Sequence, residues 1–189
     1  MEIKWYGHSA FLIVSNSGIR IFTDPYGEEF PYKNIDEQAE IVTISHDHFD
    51  HNGEEVVKGE PVVIKNSGEF EEKGIKIKGF SSKHDDSGGS ERGDNVIFSF
   101  EIEDKIVSHL GDLGHFLEQK HLNNLKDVNI LLIPVGGHFT INADEAYEIC
   151  EQIEPEIIIP MHYKTSEVDL PIKEVDKFTD HFSQKSKKI

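Results

Sequence analysis

Short apolar runs separated by polar turns make up the first half of the chain. Runs rich in Ile, Val and Phe predict strands at 2–6, 10–15, 19–23, 39–45, 61–65, 74–81, 95–102 and 105–110. Asn16, Ser17 and Gly18 stand between the second and third of these runs and indicate a hairpin turn. With one short helix predicted at 52–58, this half is expected to be mainly β-structure.

The second half alternates strands with helices. Strands are predicted at 129–134 and 156–160, and helices at 118–125, between 142 and 155, and at 173–182. In the middle helix, Asn142 is the predicted N-cap with Glu145 three residues later, and Pro155 ends the helix. Cys150 lies on the apolar stripe of this helix, so we interpret it as an inert core thiol.

Length and composition are those of one packed domain. The chain has 189 residues, of which 37% are hydrophobic. Strands mixed with helices predict an α/β domain in which helices cover packed sheets, over residues 1–183. The last residues, 184–189, are expected to form a polar tail.

The chain is strongly acidic, with a net charge of −17 at pH 7. Such a surface repels nucleic acid and anionic lipid, so we expect neither as a partner and expect a small-molecule substrate. No apolar run approaches the roughly 20 residues of a membrane span, and the first residues do not have the pattern of a signal peptide. A cytoplasmic location is therefore expected, and the oligomeric state stays open. The single cysteine excludes an internal disulfide framework.

Histidine or aspartate side chains follow five of the predicted strands. These residues are His46, His84, Asp112, His138 and His162. In open α/β sheets, ligands bind at the edge formed by the carboxyl ends of the strands. We therefore expect a functional site at this edge.

The densest cluster of such residues follows the strand at 39–45. It contains His46, His48, Asp50 and His51 within six positions. Imidazole and carboxylate ligands without a thiolate suit Zn²⁺, Fe or Mn²⁺. Together with the side chains at the later strand ends, they are too many for one tetrahedral ion and predict two metals, typically ~3.5–4 Å apart. The alternative is a solvated loop that binds metal adventitiously.

This motif resembles that of the metallo-β-lactamase-fold hydrolases, in which the pattern is His-x-His-x-Asp-His. Segments 5–10 (WYGHSA) and 23–25 (TDP) resemble the branch that contains the L-ascorbate 6-phosphate lactonases. Segments 110–114 (LGDLG), 133–137 (IPVGG) and 159–163 (IPMHY) match later motifs of the family in order.

The resemblance implies a four-layer αββα sandwich and a ligand set. His46, His48 and a third histidine would bind one metal, and Asp112 would bridge to the other. The second metal would be bound by Asp50, His51 and His162. The third histidine is expected to be His84, with His138 as a substitute ligand or a pocket residue. Asp24 would support the motif from behind.

The predicted function is hydrolysis of a small ester, lactone or phosphoester by hydroxide formed at two divalent ions. Zn²⁺ is expected, with Mn²⁺ and Fe as alternatives. Asp50, Asp112 and His138 are the predicted catalytic residues. The alternatives are an iron-dependent redox enzyme resembling sulfur dioxygenases and a metal-stabilised binding protein.

Three further residues have open roles in this scheme. His8 faces either the pocket or a turn, and His115 is either a substrate donor or a surface residue. Arg92 is either a phosphate contact or a solvated loop charge.

Overall fold

The computed structural model describes residues 1–182 and shows two β-sheets packed face to face. The first sheet has the order β1-β2-β3-β4-β5, formed by Glu2–Gly7, Ala10–Val14, Arg20–Thr23, Ile41–Thr43 and Val62–Ile64. The second has the order β11-β10-β9-β8-β7-β6, where β6 to β11 are Gly68–Glu72, Ile75–Lys83, Asp94–Ile102, Lys105–His109, Ile130–Pro134 and Ile157–Met161.

Strand direction brings several carboxyl ends to one edge of the second sheet. Strands β9, β10 and β11 are parallel, with Ile130 opposite Val107 and Ile157. Strand β8 is antiparallel to both β7 and β9, so β7 runs in the same direction as these three. The loops that follow β7, β9, β10 and β11 therefore leave the sheet on the same side.

The main core lies between the two sheets. Phe11 and Ile13 of β2 pack there with Phe98 and Phe100 of β8 and with Leu132 of β10, and all five are fully buried. Burying a side chain of this size contributes about 1.5–3 kcal/mol. The alternation along each strand thus fixes which face of each sheet turns inward.

Helices cover the outer face of the second sheet. They are α1 (Gln119–Leu125), α2 (Ala143–Ile153) and α3 (Asp176–Asp180). The predicted cap of α2 is confirmed, because Asn142 accepts the backbone N–H of Asp144 at 2.9 Å and Glu145 accepts that of Asn142 at 2.8 Å. None of the helices in residues 1–182 is long and apolar enough to span a membrane.

Loops rather than α-helices cover the outer face of the first sheet in the described residues. Tyr26, Phe30 and Ile35 come from the loop after β3 and pack with Phe22 and Val42. The two-sheet sandwich predicted from the sequence is confirmed, and its fourth layer consists of this loop and a 3₁₀ turn at Glu54–Val56.

Two predicted helices are shorter in the structure than in the sequence analysis. The helix expected at 52–58 is the single turn Glu54–Val56, which buries no residue. Gly53 precedes it and lies so close to the backbone of Tyr26 that a Cβ atom would stand 2.5 Å from the carbonyl carbon. The helix expected at 173–182 is reduced to α3. The predicted tail at 184–189 lies outside the described residues.

Candidate metal centre

Four loops meet at one edge of the sandwich. They place His46 to His51 after β4, His84 after β7, Asp112 after β9 and His162 after β11. Asp112 Oδ2 lies 3.0 Å from Nε2 of His162, 3.3 Å from Nε2 of His84 and 3.4 Å from Nε2 of His51. Residues more than 100 positions apart in the sequence therefore converge on one carboxylate.

The potential ligand atoms form three overlapping groups, of which the third, Asp24 with His46 and His51, contains the carboxylate that supports the motif from behind. The other two are the candidate metal sites. His46, His48 and His84 make up the first, and Asp50, His51 and His162, together with His8, make up the second. Within each group the ligand atoms lie within 4.8 Å of one another. Asp112 contacts rings of both groups, so the structure brings together all seven predicted ligands.

Asp24 lies behind the motif and orients two of its rings. This carboxylate, at the end of β3, accepts the backbone N–H of Ser45 at 2.8 Å and its hydroxyl at 2.6 Å. His51 Nδ1 donates to the same carboxylate at 2.9 Å, and His46 Nδ1 lies 2.9 Å from the Ser45 hydroxyl. With both Nδ1 atoms engaged, the two Nε2 atoms face the centre, as the predicted supporting role of Asp24 requires.

Several buried atoms of the centre have no hydrogen-bond partner among the described residues. They include Nε2 of His46, Nε2 of His51 and Oδ1 of Asp112. Leaving such an atom unpaired costs roughly 1–3 kcal/mol, and more for a charged group. The orphaned atoms are an imidazole and carboxylate donor set, so the residues fit divalent metal ions.

The electrostatics favour metal binding at most of these groups. Burial lowers the pKa of His46 to about 3, so this ring is neutral. Burial alone would raise the pKa of Asp112, but the rings of His162 and His51 hold it well below the usual value. Burial alone would lower the pKa of His51, but Asp112 and Asp50 raise it well above the usual value. A cation bound at His51 would therefore displace a proton.

His8 belongs to the centre, which answers the question that the sequence left open. It is fully buried, and its Nε2 lies 3.0 Å from Oδ2 of Asp50. Its ring centroid is 4.0 Å from that of His162, and its backbone carbonyl accepts the N–H of His162 at 3.0 Å. Burial and the neighbouring His162 lower the pKa of His8 to about 4. The neutral ring is thus placed to donate a hydrogen bond to Asp50.

Asn95 is a second supporting residue, and the sequence analysis missed it. Its side chain accepts the backbone N–H of Asp112 at 3.0 Å and donates to the carbonyl of Leu110 at 2.9 Å. Gly111 has φ +57°, and a Cβ atom there would stand 2.2 Å from Asn95 Oδ1. Asn95 begins an apolar strand and carries no motif, so the sequence contains no signal for this role.

The structure does not bring His138 to the centre. This side chain is exposed, has a left-handed φ of +60°, and packs edge-on against Phe139 at 4.5 Å between ring centroids. In residues 1–182 it belongs to neither ligand group, and His84 occupies the place beside His46 and His48. His138 is therefore left out of the ligand set and the catalytic residues proposed below.

His115 also lies apart from both ligand groups. Its Nε2 accepts the backbone N–H of Lys83 at 3.1 Å, and its Nδ1 lies 2.7 Å from the carbonyl of Phe116. With both ring nitrogens engaged by the backbone, His115 anchors a loop.

A cavity of about 370 Å³ opens over the two ligand groups. Its floor includes Asp50 and Asp112, which are predicted catalytic residues. Its walls are formed by Phe49, Phe139, Leu170, Glu91 and Arg92. A small molecule can therefore reach the centre from solvent.

Comparisons with known proteins agree with this geometry. Residues 2–162 match the family model described as "Beta-lactamase superfamily domain". A UPF0173 metal-dependent hydrolase of Methanocaldococcus jannaschii is 31% identical over 92% of this chain and 88% of its own length. Another, from Salinibacter ruber, is 31% identical over 97% of this chain and 93% of its own length. A solved structure from Thermotoga maritima is described as a candidate Zn-dependent hydrolase of the metallo-β-lactamase superfamily. It is 38% identical with a TM-score of 0.81, and the match covers 95% of this chain and 84% of that one.

Proposed function

This chain belongs to the metallo-β-lactamase superfamily, and we propose that it is a metal-dependent hydrolase that uses two divalent ions on a small ester, lactone or phosphoester. The observation that carries the proposal is the pair of ligand groups that share Asp112 and present buried, unpartnered Nε2 and carboxylate atoms to each other. The resemblance to the L-ascorbate 6-phosphate lactonase branch stays a prediction.

Each group of residues has a defined part in this proposal. His46, His48 and His84 would hold the first ion and Asp50, His51 and His162 the second, with Asp112 between them. Bound there, divalent ions supply a water of lowered pKa and a Lewis acid for developing negative charge. The imidazole-rich donor set favours Zn²⁺, with Mn²⁺ and Fe as alternatives.

The chain itself contributes orientation and a fixed proton. Asp50 is partly open to the cavity and stays ionised, because the His51 and His8 rings outweigh the effect of burial and lower its pKa. His8 holds a proton at Nε2 and fixes one oxygen of Asp50 through the 3.0 Å contact. The other oxygen of Asp50 would then bind the second ion and, through its remaining lone pair, orient a water.

The test combines elemental analysis with a substrate panel. We expect protein purified without added metal to contain about two zinc ions and to hydrolyse generic esters, lactones or phosphodiesters. Replacement of the shared ligand, Asp112→Asn, should lower metal content and cut kcat/KM by more than about 100-fold, because both groups lose a ligand. His181→Gln is the control, since within residues 1–182 the ring of this exposed histidine contacts Asp144 and the ring of Tyr147 on α2.

Two results would contradict the proposal. Full hydrolysis by the metal-free protein would exclude a metal mechanism. Stoichiometric iron with oxygen uptake and no hydrolysis would favour the redox alternative.

A further inference from the structure

We infer that the substrate carries an oxyanion group remote from the bond that is broken, and that Arg92 binds it. The inference rests on the proposed function, because it assigns the substrate class of the same cavity. Its basis is the placement of one arginine on the wall of a cavity that is otherwise lined by histidines, carboxylates and apolar side chains.

The loop between β7 and β8 holds Arg92 in place. Asp85 is the second residue of this loop and is buried, and its carboxylate accepts four backbone N–H groups. These belong to Ser87 at 2.9 Å, Gly89 at 2.8 Å, Glu91 at 3.1 Å and Arg92 at 2.8 Å. The backbone of Arg92 is therefore fixed by a direct hydrogen bond to Asp85.

The same loop contributes a ligand to the candidate metal centre. His84 directly precedes Asp85, and its backbone N–H donates to the carbonyl of Gly93 at 3.1 Å, which closes the loop at its base. A segment that begins with a metal ligand thus returns with a guanidinium to the same cavity. This arrangement holds the backbone of Arg92 beside the cavity that contains the candidate metal centre.

The guanidinium lies on the cavity wall with its donors available. Arg92 Cζ stands 5.7 Å from the ring centroid of Phe139, within the range of a cation–π contact. Its ion-pair contact, with Glu91, is long at 3.7 Å. Among residues 1–182 its side chain makes no hydrogen bond. An arginine fork with available N–H groups matches the planar geometry of a carboxylate or the oxygens of a phosphate.

Arg92 supplies positive charge at the cavity of a protein whose surface is otherwise strongly acidic. The chain has a net charge of −17, and its other arginine, Arg20, bonds Glu37 and the carbonyl of Gln38 away from the cavity. An anionic substrate needs local positive charge to approach such a surface. The remaining walls include Phe49, Phe139 and Leu170, which suit a short apolar segment between the anion and the reacting group.

The first experiment measures binding and does not depend on catalysis. Protein carrying the metal with which it was purified is titrated calorimetrically with α,ω-dicarboxylates from succinate to adipate and with monocarboxylates of equal length. We expect at least one dicarboxylate to bind at least about 10-fold more tightly than the monocarboxylate of equal length, because a second charge-assisted contact forms. In Arg92→Gln this gain in affinity should fall to about 2-fold or less, and in Arg92→Lys part of the gain should remain.

A control variant distinguishes a local contact of Arg92 with the ligand from a general effect of the protein's net charge on anion binding. Lys126→Gln removes one positive charge at the end of α1 and should keep the full gain. The inference is overturned if Arg92→Gln keeps the gain, if Lys126→Gln loses it equally, or if no dicarboxylate shows it. Phosphonocarboxylates of equal length distinguish the source of the oxyanion, since a larger gain for these ligands indicates a phosphate and a larger gain for dicarboxylates a carboxylate.

The second experiment measures hydrolysis of paired p-nitrophenyl esters with and without a terminal carboxylate. Arg92→Gln should lower the ratio of kcat/KM for the charged ester to that for the neutral ester about 10-fold, with the metal content within 2-fold of wild type. Binding of dicarboxylates through Arg92 without any hydrolysis would refute the proposed function and leave the anion site standing. Hydrolysis with equal loss for both esters would refute the anion site alone.

Discussion

His8 illustrates how a single side chain outside the metal motif can position a ligand. It lies in the turn between β1 and β2 with φ +52°, and it donates from Nε2 to Asp50 while its carbonyl accepts the N–H of His162. One residue therefore contacts two candidate ligands of the second group. Partners of this kind typically contribute a factor of 10–100 to metal affinity or activity.

Paired substitutions at His8 test this positioning role. Glutamine has an amide near the position of Nε2, so His8→Gln should keep metal affinity near the wild-type value. The amide of His8→Asn is one bond shorter and cannot reach Asp50, although asparagine tolerates the left-handed backbone well. We expect the asparagine variant to bind the second zinc ion 10–100-fold more weakly in competition with a chelator.

The unfolding midpoint of the metal-free variants provides the control for His8. If His8 only stabilised the turn, zinc affinity would change in parallel with the unfolding midpoint. The asparagine variant would then have a midpoint and a zinc affinity equal to or higher than those of the glutamine variant. Such a result would refute the positioning role.

The ligand set shows how far residue-level prediction reaches. The convergence of His46, His84 and His162 was predictable because each follows an apolar strand that ends at the same edge of the sandwich. His138 meets the same criterion, yet its side chain is exposed beside Phe139, whereas that of His162, whose φ is also left-handed, is buried in the centre. That direction depends on local dihedral angles, which the spacing of residues does not encode.

At the scale of elements, strands such as β4 and β10 were predictable because each is an apolar run that is buried along its whole length. Strand β6 was missed because Glu69, Glu71 and Glu72 dominate it, and Phe70 is its one apolar side chain at this sheet edge. Acidic side chains on an edge strand discourage pairing with other chains and also remove the alternating signal. Helix α2 was predicted because its cap and apolar stripe are both local.

Helix α2 yields a prediction about pH. Burial raises the pKa of the Cys150 thiol to about 12 from an ordinary value of 9.0. Because the folded pKa is raised, its stabilising contribution is complete below pH 9 and is lost as the pH rises towards 12. At pH 10.5, which is 1.5 pH units above the ordinary thiol pKa, the free energy of unfolding should be about 2 kcal/mol lower for this reason.

A double difference isolates this contribution of Cys150 from other titrations. The free energy of unfolding in urea is measured for wild type and Cys150→Ala at pH 8 and pH 10.5. We expect the advantage of wild type over the alanine variant to shrink by about 2 kcal/mol at the higher pH. An advantage that stays constant would mean that the thiol ionises equally easily in both states.

At the scale of the whole molecule, the candidate metal centre connects the two sheets. The loop from His46 to His51 leaves the first sheet, whereas His84, Asp112 and His162 leave the second. Ions that bind these residues together would therefore crosslink the sandwich at one edge. They would also satisfy buried atoms that have no hydrogen-bond partner within the part of the chain that the structure describes. Metal binding and folding should consequently be coupled.

The dependence of stability on free zinc should reveal how many ions bind. Well above the dissociation constant, each site adds about 1.4 kcal/mol to the free energy of unfolding for every tenfold increase in free metal. Urea unfolding in zinc-buffered solutions should therefore give a slope of about 2.7 kcal/mol per decade if two ions bind and half that if one does.

Removing one ligand of the first group gives the matching comparison. His84→Gln should reduce the slope to that of a single ion, because the second group keeps its histidines and Asp50. Chelation should also speed amide exchange near His46 and near Asp112 together, since one centre holds loops from both sheets. A slope of zero for the wild-type protein would show that the converging rings bind no ion, and the interpretation of this edge as a metal centre would then be wrong.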